Sequence, residues 1–164
     1  MVALCALLLA SGCSTAAGPA TAPTPSTASG ARATSGTTDI GGLLTARIGG
    51  ATFRLRDTPT AADQQRGLSV VEGLADDEGM LFRLGSPKVQ GMWMKDMRYA
   101  IDILWVGADG TVVHLEHDVA PATYPTVFRN PPDRLAVAVV ELAAGAARRT
   151  GIVVGSPVDL DGIR

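Results

Sequence analysis

With 164 residues, of which 14 are basic and 16 acidic, the chain can form one domain with a real core but not two. A net charge of −2 with scattered Arg and Lys offers no basic stripe for nucleic acid, so no nucleic-acid partner is expected. The hydrophobic content of 46% is partly Ala and only 4% is aromatic, so large core-forming side chains are fewer than the apolar fraction suggests.

Residues 1–12 are predicted to be a lipoprotein signal peptide. The uncharged run over residues 2–10 has the length of an export signal's apolar core and is well short of the roughly 20 residues that span a bilayer. It closes on Leu9-Ala10-Ser11-Gly12-Cys13, small residues before a cysteine, which resembles the bacterial lipobox. Cys13 is therefore the expected lipid attachment and first mature residue. Only the terminal amine supplies positive charge before the run, which leaves room for a start further upstream. Residues 13–40 are expected to be a disordered tether: in residues 14–38, 24 of 25 positions are Ser, Thr, Ala, Gly or Pro, with no periodicity that could bury a face. The address is thus the outer side of a bacterial cell membrane, with the membrane itself a partner through the Cys13 anchor. Cys5 is lost with the signal and no cysteine follows Cys13, which leaves the globular part without a disulfide, thiol nucleophile or Cys-based zinc site.

Residues 41–164 are predicted to be a β-rich globular domain. Residues 43–48 and 52–56 make a first hairpin about Gly49-Gly50-Ala51, with Phe53 and Leu55 alternating against Arg54 and Arg56. Thr58-Pro59 supplies an N-cap and a first-turn proline for a short surface helix over 60–66, ended by Gly67. Strand-length runs follow at 80–84, 89–94, 101–106, 112–116 and 135–142. Ala108-Asp109-Gly110-Thr111 marks a tight turn inside a hairpin over 104–115. Residues 143–150 give one or two helical turns stopped by Gly151, and a terminal strand lies near 157–160. About eight strands and two short helices favour a single sandwich or barrel over a βαβ sheet, and no phosphate loop or dinucleotide fingerprint is present.

Three groups of residues have chemistry to offer. Met80, Met92, Met94 and Met97 cluster within 18 residues, either as soft Cu(I) ligands or, the favoured reading, as core packing. His114 and His117 do not converge on a strand, so His114 with Glu116 is expected on solvated surface. Asp102 shares a face with Leu104 and Val106, and Glu141 with Val137 and Val139, so each carboxylate needs a partner; Lys95, Arg98 and Arg66 are the available cations. Trp93, with Lys95 on the same face of a strand over 89–94, completes a candidate binding patch of Trp93, Lys95, Asp102 and Glu141.

The ordered set Arg56-Asp57-Thr58-Pro59, Gln65-Arg66-Gly67-Leu68, Asp77-Glu78-Gly79-Met80-Leu81-Phe82, Trp93-Met94-Lys95-Asp96, Ile101-Asp102-Ile103, Asp109-Gly110, Glu141-Leu142 and Gly151-Ile152 resembles the family called domain of unknown function 192, over about residues 44–160. The resemblance implies a jelly-roll-like β-sandwich and frequent export, and brings no established activity, cofactor or catalytic residue. Arg66, Gly67, Glu78, Gly79, Trp93, Lys95, Asp102 and Glu141 fall on its signature positions. The chain departs from it in having Asp96-Met97 where Asn-Thr is usual, and in lacking the Cys-Pro that some members carry before the pair seen here as Tyr124-Pro125.

The expected function is a lipid-anchored extracytoplasmic module that binds a small molecule or envelope component, without a cofactor. Its ligand-binding residues are Trp93, Lys95, Asp102, Glu141, Arg66 and Glu78, with no metal and no catalytic group. Two alternatives stand beside it: a glycan-directed or other hydrolase using Asp102 and Glu141 with Lys95, and a Met-based Cu(I) binder. Changing Cys13 to Ala should move the protein from the membrane fraction to the soluble fraction on cell fractionation; a variant that stays with the membrane refutes the anchor.

Overall fold

The computed structural model describes residues 42–160, and the predicted signal peptide, Cys13 and the tether lie outside the described residues. The first hairpin forms as the alternation predicts, β1 (Leu43–Ile48) pairing antiparallel with β2 (Ala51–Asp57). Phe53 and Leu55 are buried in the inner core, while Arg54 and Arg56 point to the other face, as a pleat of period two requires. Helix α1 (Ala61–Arg66) starts one residue later than the sequence suggests, and its cap falls two residues later. Its cap is Thr60, whose hydroxyl accepts from the Asp63 N–H at 3.1 Å while the Asp63 carboxylate accepts from the Thr60 N–H at 3.3 Å, a reciprocal capping box. Thr58, the expected cap, is buried and donates to the Leu81 carbonyl at 2.7 Å. Gly67, at φ 50°, ends the helix in a conformation that side chains disfavour.

This crossover lays β3 (Glu78–Lys88) parallel to β2, an arrangement that the turn signals did not reveal. Then come β4 (Gly91–Met92), β5 (Ile101–Val106), β6 (Val112–Val119), β7 (Phe128–Arg129), β8 (Ala136–Ala143), α2 (Ala146–Thr150) and β9 (Val158–Leu160). Seven strands form one sheet in the order β6-β5-β8-β3-β2-β1-β9, and β4 with β7 forms a separate two-stranded ribbon. The protein is mainly β, and its layers come from this one curled sheet and what packs on it. The curl brings the two ends of the sheet together. Val158 donates to the Gly110 carbonyl at 2.8 Å and Val112 to the Ser156 carbonyl at 3.0 Å.

The strand predicted over 89–94 shrinks to Gly91–Met92. The chain then turns, with Met97 donating to the Met94 carbonyl at 3.3 Å and Asp96 at φ 60°, a left-handed position that Asn and Asp tolerate better than most residues. Hence Met92 and Met94 do not share a strand face, and neither do Trp93 and Lys95.

Alternation divides the apolar side chains between two cores. Inside the curl lie Ile48, Phe53, Leu55, Leu81, Leu104, Val140 and Leu142, closed at one end by α2. On the outer face lie Met80, Phe82, Met94, Ile103, Trp105 and Val139, with Leu68 and Val71 from the turn after α1. Gly79 makes the close approach of β3 to β8 possible, since a Cβ there would sit 2.3 Å from the Glu141 carbonyl oxygen.

Asp102 belongs to the inner side, where it is fully buried. Its carboxylate accepts from the Asp118 N–H at 2.9 Å, the Gly145 N–H at 3.2 Å and the Ala147 N–H at 2.8 Å. It thus caps α2 from a neighbouring strand, because Gly145 at the helix's own N-cap has no side chain for the task. Asp102→Ala strands one buried donor, the Ala147 N–H, and two part-buried ones, and should cost about 2 kcal/mol. The chemical-denaturation midpoint should fall accordingly, and a midpoint like wild type would show that the capping bonds contribute nothing.

Candidate functional site

Glu141 lies one residue before Leu142 on β8, so its side chain leaves on the opposite face, toward the outer core. Its cross-strand neighbours are Met80 on β3 and Ile103 on β5, both fully buried. Glu141 itself is 5% exposed. Among the described residues it makes no side-chain hydrogen bond and no ion pair. Burial without a partner disfavours the charged form and pushes its pKa up to about 8. Close by is Tyr99, half-buried, whose hydroxyl donates to the Leu68 carbonyl at 3.5 Å. Its own value rises to about 12 through burial first and the charge of Glu141 second.

Glu141 forms part of the wall of a cavity of about 330 Å³ on the outer face, within the range of sites for small molecules. Phe82 and Leu68 supply apolar walls, and Gln64, Gln65, Arg66, Trp93, Lys95 and Arg129 are its exposed members. Each wall has its own support. The 67–70 turn, on one side, is held by the α1 cap. On the other side, the buried Asn130 accepts from the Gln90 N–H at 2.8 Å and donates to the carbonyls of Lys88 at 3.2 Å and Arg134 at 2.7 Å. The Trp105 indole N–H donates to the Gln90 carbonyl at 2.9 Å and ties this segment to the sheet. Gly91 lets β7 close on β4, since a Cβ there would sit 2.8 Å from Val127 Cγ1.

Of the six residues singled out by sequence, Trp93, Lys95, Glu141 and Arg66 meet at this cavity and two do not. Asp102 is on the other side of the sheet, saturated by backbone donors, so it cannot flank a substrate bond together with Glu141. The pairing of those two carboxylates assumed for a hydrolase is therefore corrected. Glu78 lies at the β2–β3 edge, where it pairs with Arg54 at 3.1 Å and accepts from the Ala75 N–H at 3.3 Å. Lys95 forms no ion pair among the described residues and joins neither carboxylate.

Met80 and Met94 are buried in the outer core, with Met92 and Met97 packed against it, so packing accounts for the methionine cluster. His114 lies 3.1 Å from Glu116 and tilts against Trp105 at a centroid distance of 5.0 Å. Arg129 and Gln90 were not singled out by sequence. Both lie in short irregular stretches whose place over Glu141 is set by long-range pairing and leaves no local pattern.

The raised pKa of Glu141 makes stability depend on pH in a definite direction. Below about pH 4.5 both folded and unfolded chains hold the proton. Between there and about 8 the unfolded chain releases it while the folded one retains it, so this contribution is lost as pH rises. The loss is on the order of a few kcal/mol. Glu141→Gln should remove it, so that the melting temperature of the variant gains on wild type steadily from pH 5 to pH 9. Parallel pH profiles for the two proteins would contradict the buried, unpartnered acid.

Comparison with solved structures finds the same fold in a Sinorhizobium meliloti 1021 protein described provisionally as a transcription regulator, at 24% identity and a TM-score of 0.68, covering 74% of this chain and 96% of that one. A protein of unknown function from Novosphingobium aromaticivorans DSM 12444 is 30% identical with a TM-score of 0.65, covering 71% of this chain and 84% of the other. No curated protein matches. The family model for DUF192, an uncharacterised family, matches residues 44–160, which takes in every residue of the cavity, and the chain belongs to this family.

Proposed function

We propose that the domain binds a small polar solute in the cavity over Glu141. The observation that carries this reading is a nearly buried carboxyl group without a protein partner, forming part of the wall of a cavity. A buried polar group left unsatisfied costs stability, and a ligand hydroxyl or carbonyl would relieve that cost. Trp93, 53% exposed at the cavity, offers a flat apolar face with an N–H, a pairing suited to amphipathic rings. A binding role is favoured over a hydrolytic one because acid–base hydrolysis of a glycosidic bond commonly uses two carboxyl groups flanking that bond, and Glu141 is the one acid lining this cavity.

The sequence reading of Cys13 and the tether adds a location to this proposal. The module would work outside the cell membrane, held there by lipid, and meet solutes or envelope components of small size.

A thermal-shift screen of the full chain against sugars, nucleosides, amino acids and small acids tests the reading. A ligand at 100 times its Kd should add about 2.7 kcal/mol of apparent stability, and Trp93→Ala should weaken it about tenfold, or about 1.4 kcal/mol. If no compound stabilises wild type more than the Trp93→Ala variant, the cavity is not a binding site.

A further inference from the structure

The cations at the cavity come from three separate elements: Arg66 ends α1, Lys95 lies in the turn after β4, and Arg129 is on β7. Arg66 is held by Asp63 at 2.6 Å. Lys95 and Arg129 make no side-chain hydrogen bond or ion pair among the described residues. Asp96, next to Lys95 in the chain, lines an adjoining shelf with Arg66, Ser69 and Trp93 and is not among the cavity's lining residues. Glu141 is nearly buried whereas all three cations are exposed. The exposed side of the cavity is therefore positive, and its buried side ends in a carboxyl group.

We propose that the ligand is a small hydroxylated anion of about monosaccharide size, its carboxylate or phosphate held by Lys95 and Arg129 and its hydroxyl-bearing body lying against Trp93 toward Glu141. This rests on the reading of the cavity as a ligand site. A cationic solute would meet two exposed positive side chains without ion-pair partners on its way in, at separations shorter than the screening length. A neutral sugar would leave both cations without partners. A free phosphate or carboxylate without a hydroxylated body would leave Glu141 unsatisfied. Burial favours the protonated form of this acid, which donates to a hydroxyl or ring oxygen and does not repel the anion. The volume of about 330 Å³ is at the small end of the range for small-molecule sites and has room for a single ring.

The test is a set of probes that share one ring and differ in charge: glucuronate and glucose 6-phosphate, neutral glucose, and cationic glucosamine. They are titrated at pH 7 against the full chain by Trp fluorescence and calorimetry. The expected result is saturable binding of at least one anion, with glucose and glucosamine about tenfold weaker or more. Lys95→Met and Arg129→Met should each weaken the anion about fivefold or more while leaving the melting temperature unchanged, since neither side chain carries a structural bond. Three results overturn the proposal: glucose or glucosamine binding as well as the anions, anion binding indifferent to both substitutions, or no binding by either anion. The first, if Trp93→Ala abolishes that binding, keeps the cavity as a ligand site and removes only the anionic class. The last, together with a failed wider screen, removes the site as well.

Discussion

The two-residue pleat of the central strands governs everything else in this domain. On β5 and β8, Asp102 stands opposite Leu142 while Glu141 stands opposite Ile103, one step along the same pair of strands. That single step sends one carboxyl group into the curl of the sheet and the other to its outer face. The inner one meets two backbone donors at the start of α2 and a third on β6, and becomes part of the frame. The outer one stands opposite Met80 and Ile103, neither of which offers a side-chain donor. Two buried acids a few ångströms apart in the sheet therefore have opposite physical situations, and the difference lies in what each face packs against.

The frame explains how such a group is tolerated. The outer core under Glu141 includes Trp105, Phe82, Met94 and Leu68, and burial of side chains of that size contributes roughly 1.5–3 kcal/mol each. Asn130 and the Trp105 indole fix the segment from Lys88 to Met92 against the sheet, so the wall facing Glu141 is held by satisfied polar groups. The polar groups that hold the cavity's walls are thus bonded, while the Glu141 carboxyl group beside them has no hydrogen-bond partner among the described residues. Strongly perturbed acids in clefts are where binding and acid–base chemistry concentrate, since a purely structural role would be met more cheaply by an apolar side chain.

Much of this was legible in the sequence, and the limits have a physical cause. Alternation along 101–106 correctly put Asp102 with Leu104 and Val106, and alternation along 135–142 put Glu141 with Val139. Each assignment was relative to its own strand. Whether two strands turn the same parity toward the same core depends on register, which is set by long-range pairing, and here it separates the two carboxylates. The Trp93–Lys95 patch failed differently. Val89-Gln90-Gly91-Met92-Trp93-Met94 imitates a strand, yet the left-handed turn at Asp96 and the pairing of only Gly91 and Met92 with β7 break it. Trp93 and Lys95 reach the cavity through a turn, where no periodicity reveals them, and Arg129 enters from 34 positions further along with no motif of its own. The parallel approach of β3 to β2 was hidden because the six-residue α1 looked like a surface ornament and not a crossover.

Gly79 and Gly67 show what the family's signature preserves in physical terms. A side chain at Gly79 would collide with the carbonyl oxygen of Glu141 and with Leu142 and Leu55, prising β8 from β3 at the point where the buried acid is mounted. Gly67 ends α1 at positive φ, and a Cβ there would lie 3.5 Å from the Phe82 ring, so the glycine is required by its backbone conformation and not by crowding. Its turn delivers Leu68 to the cavity and to the Tyr99 hydroxyl. Arg66 and Gly67 thus bring one wall into place, Gly79 seats the strand behind, and Glu141 occupies the space they define. Asp102, although it never touches that space, caps the helix that follows β8 and so holds the end of the strand on which Glu141 stands. Arg66, Gly67, Gly79, Asp102 and Glu141 are thus one mechanical assembly, with the Glu141 carboxyl group in the cavity wall. Those members of the signature that do not touch the cavity belong to it as supports, which is why the sequence pattern alone could not tell them from contacts.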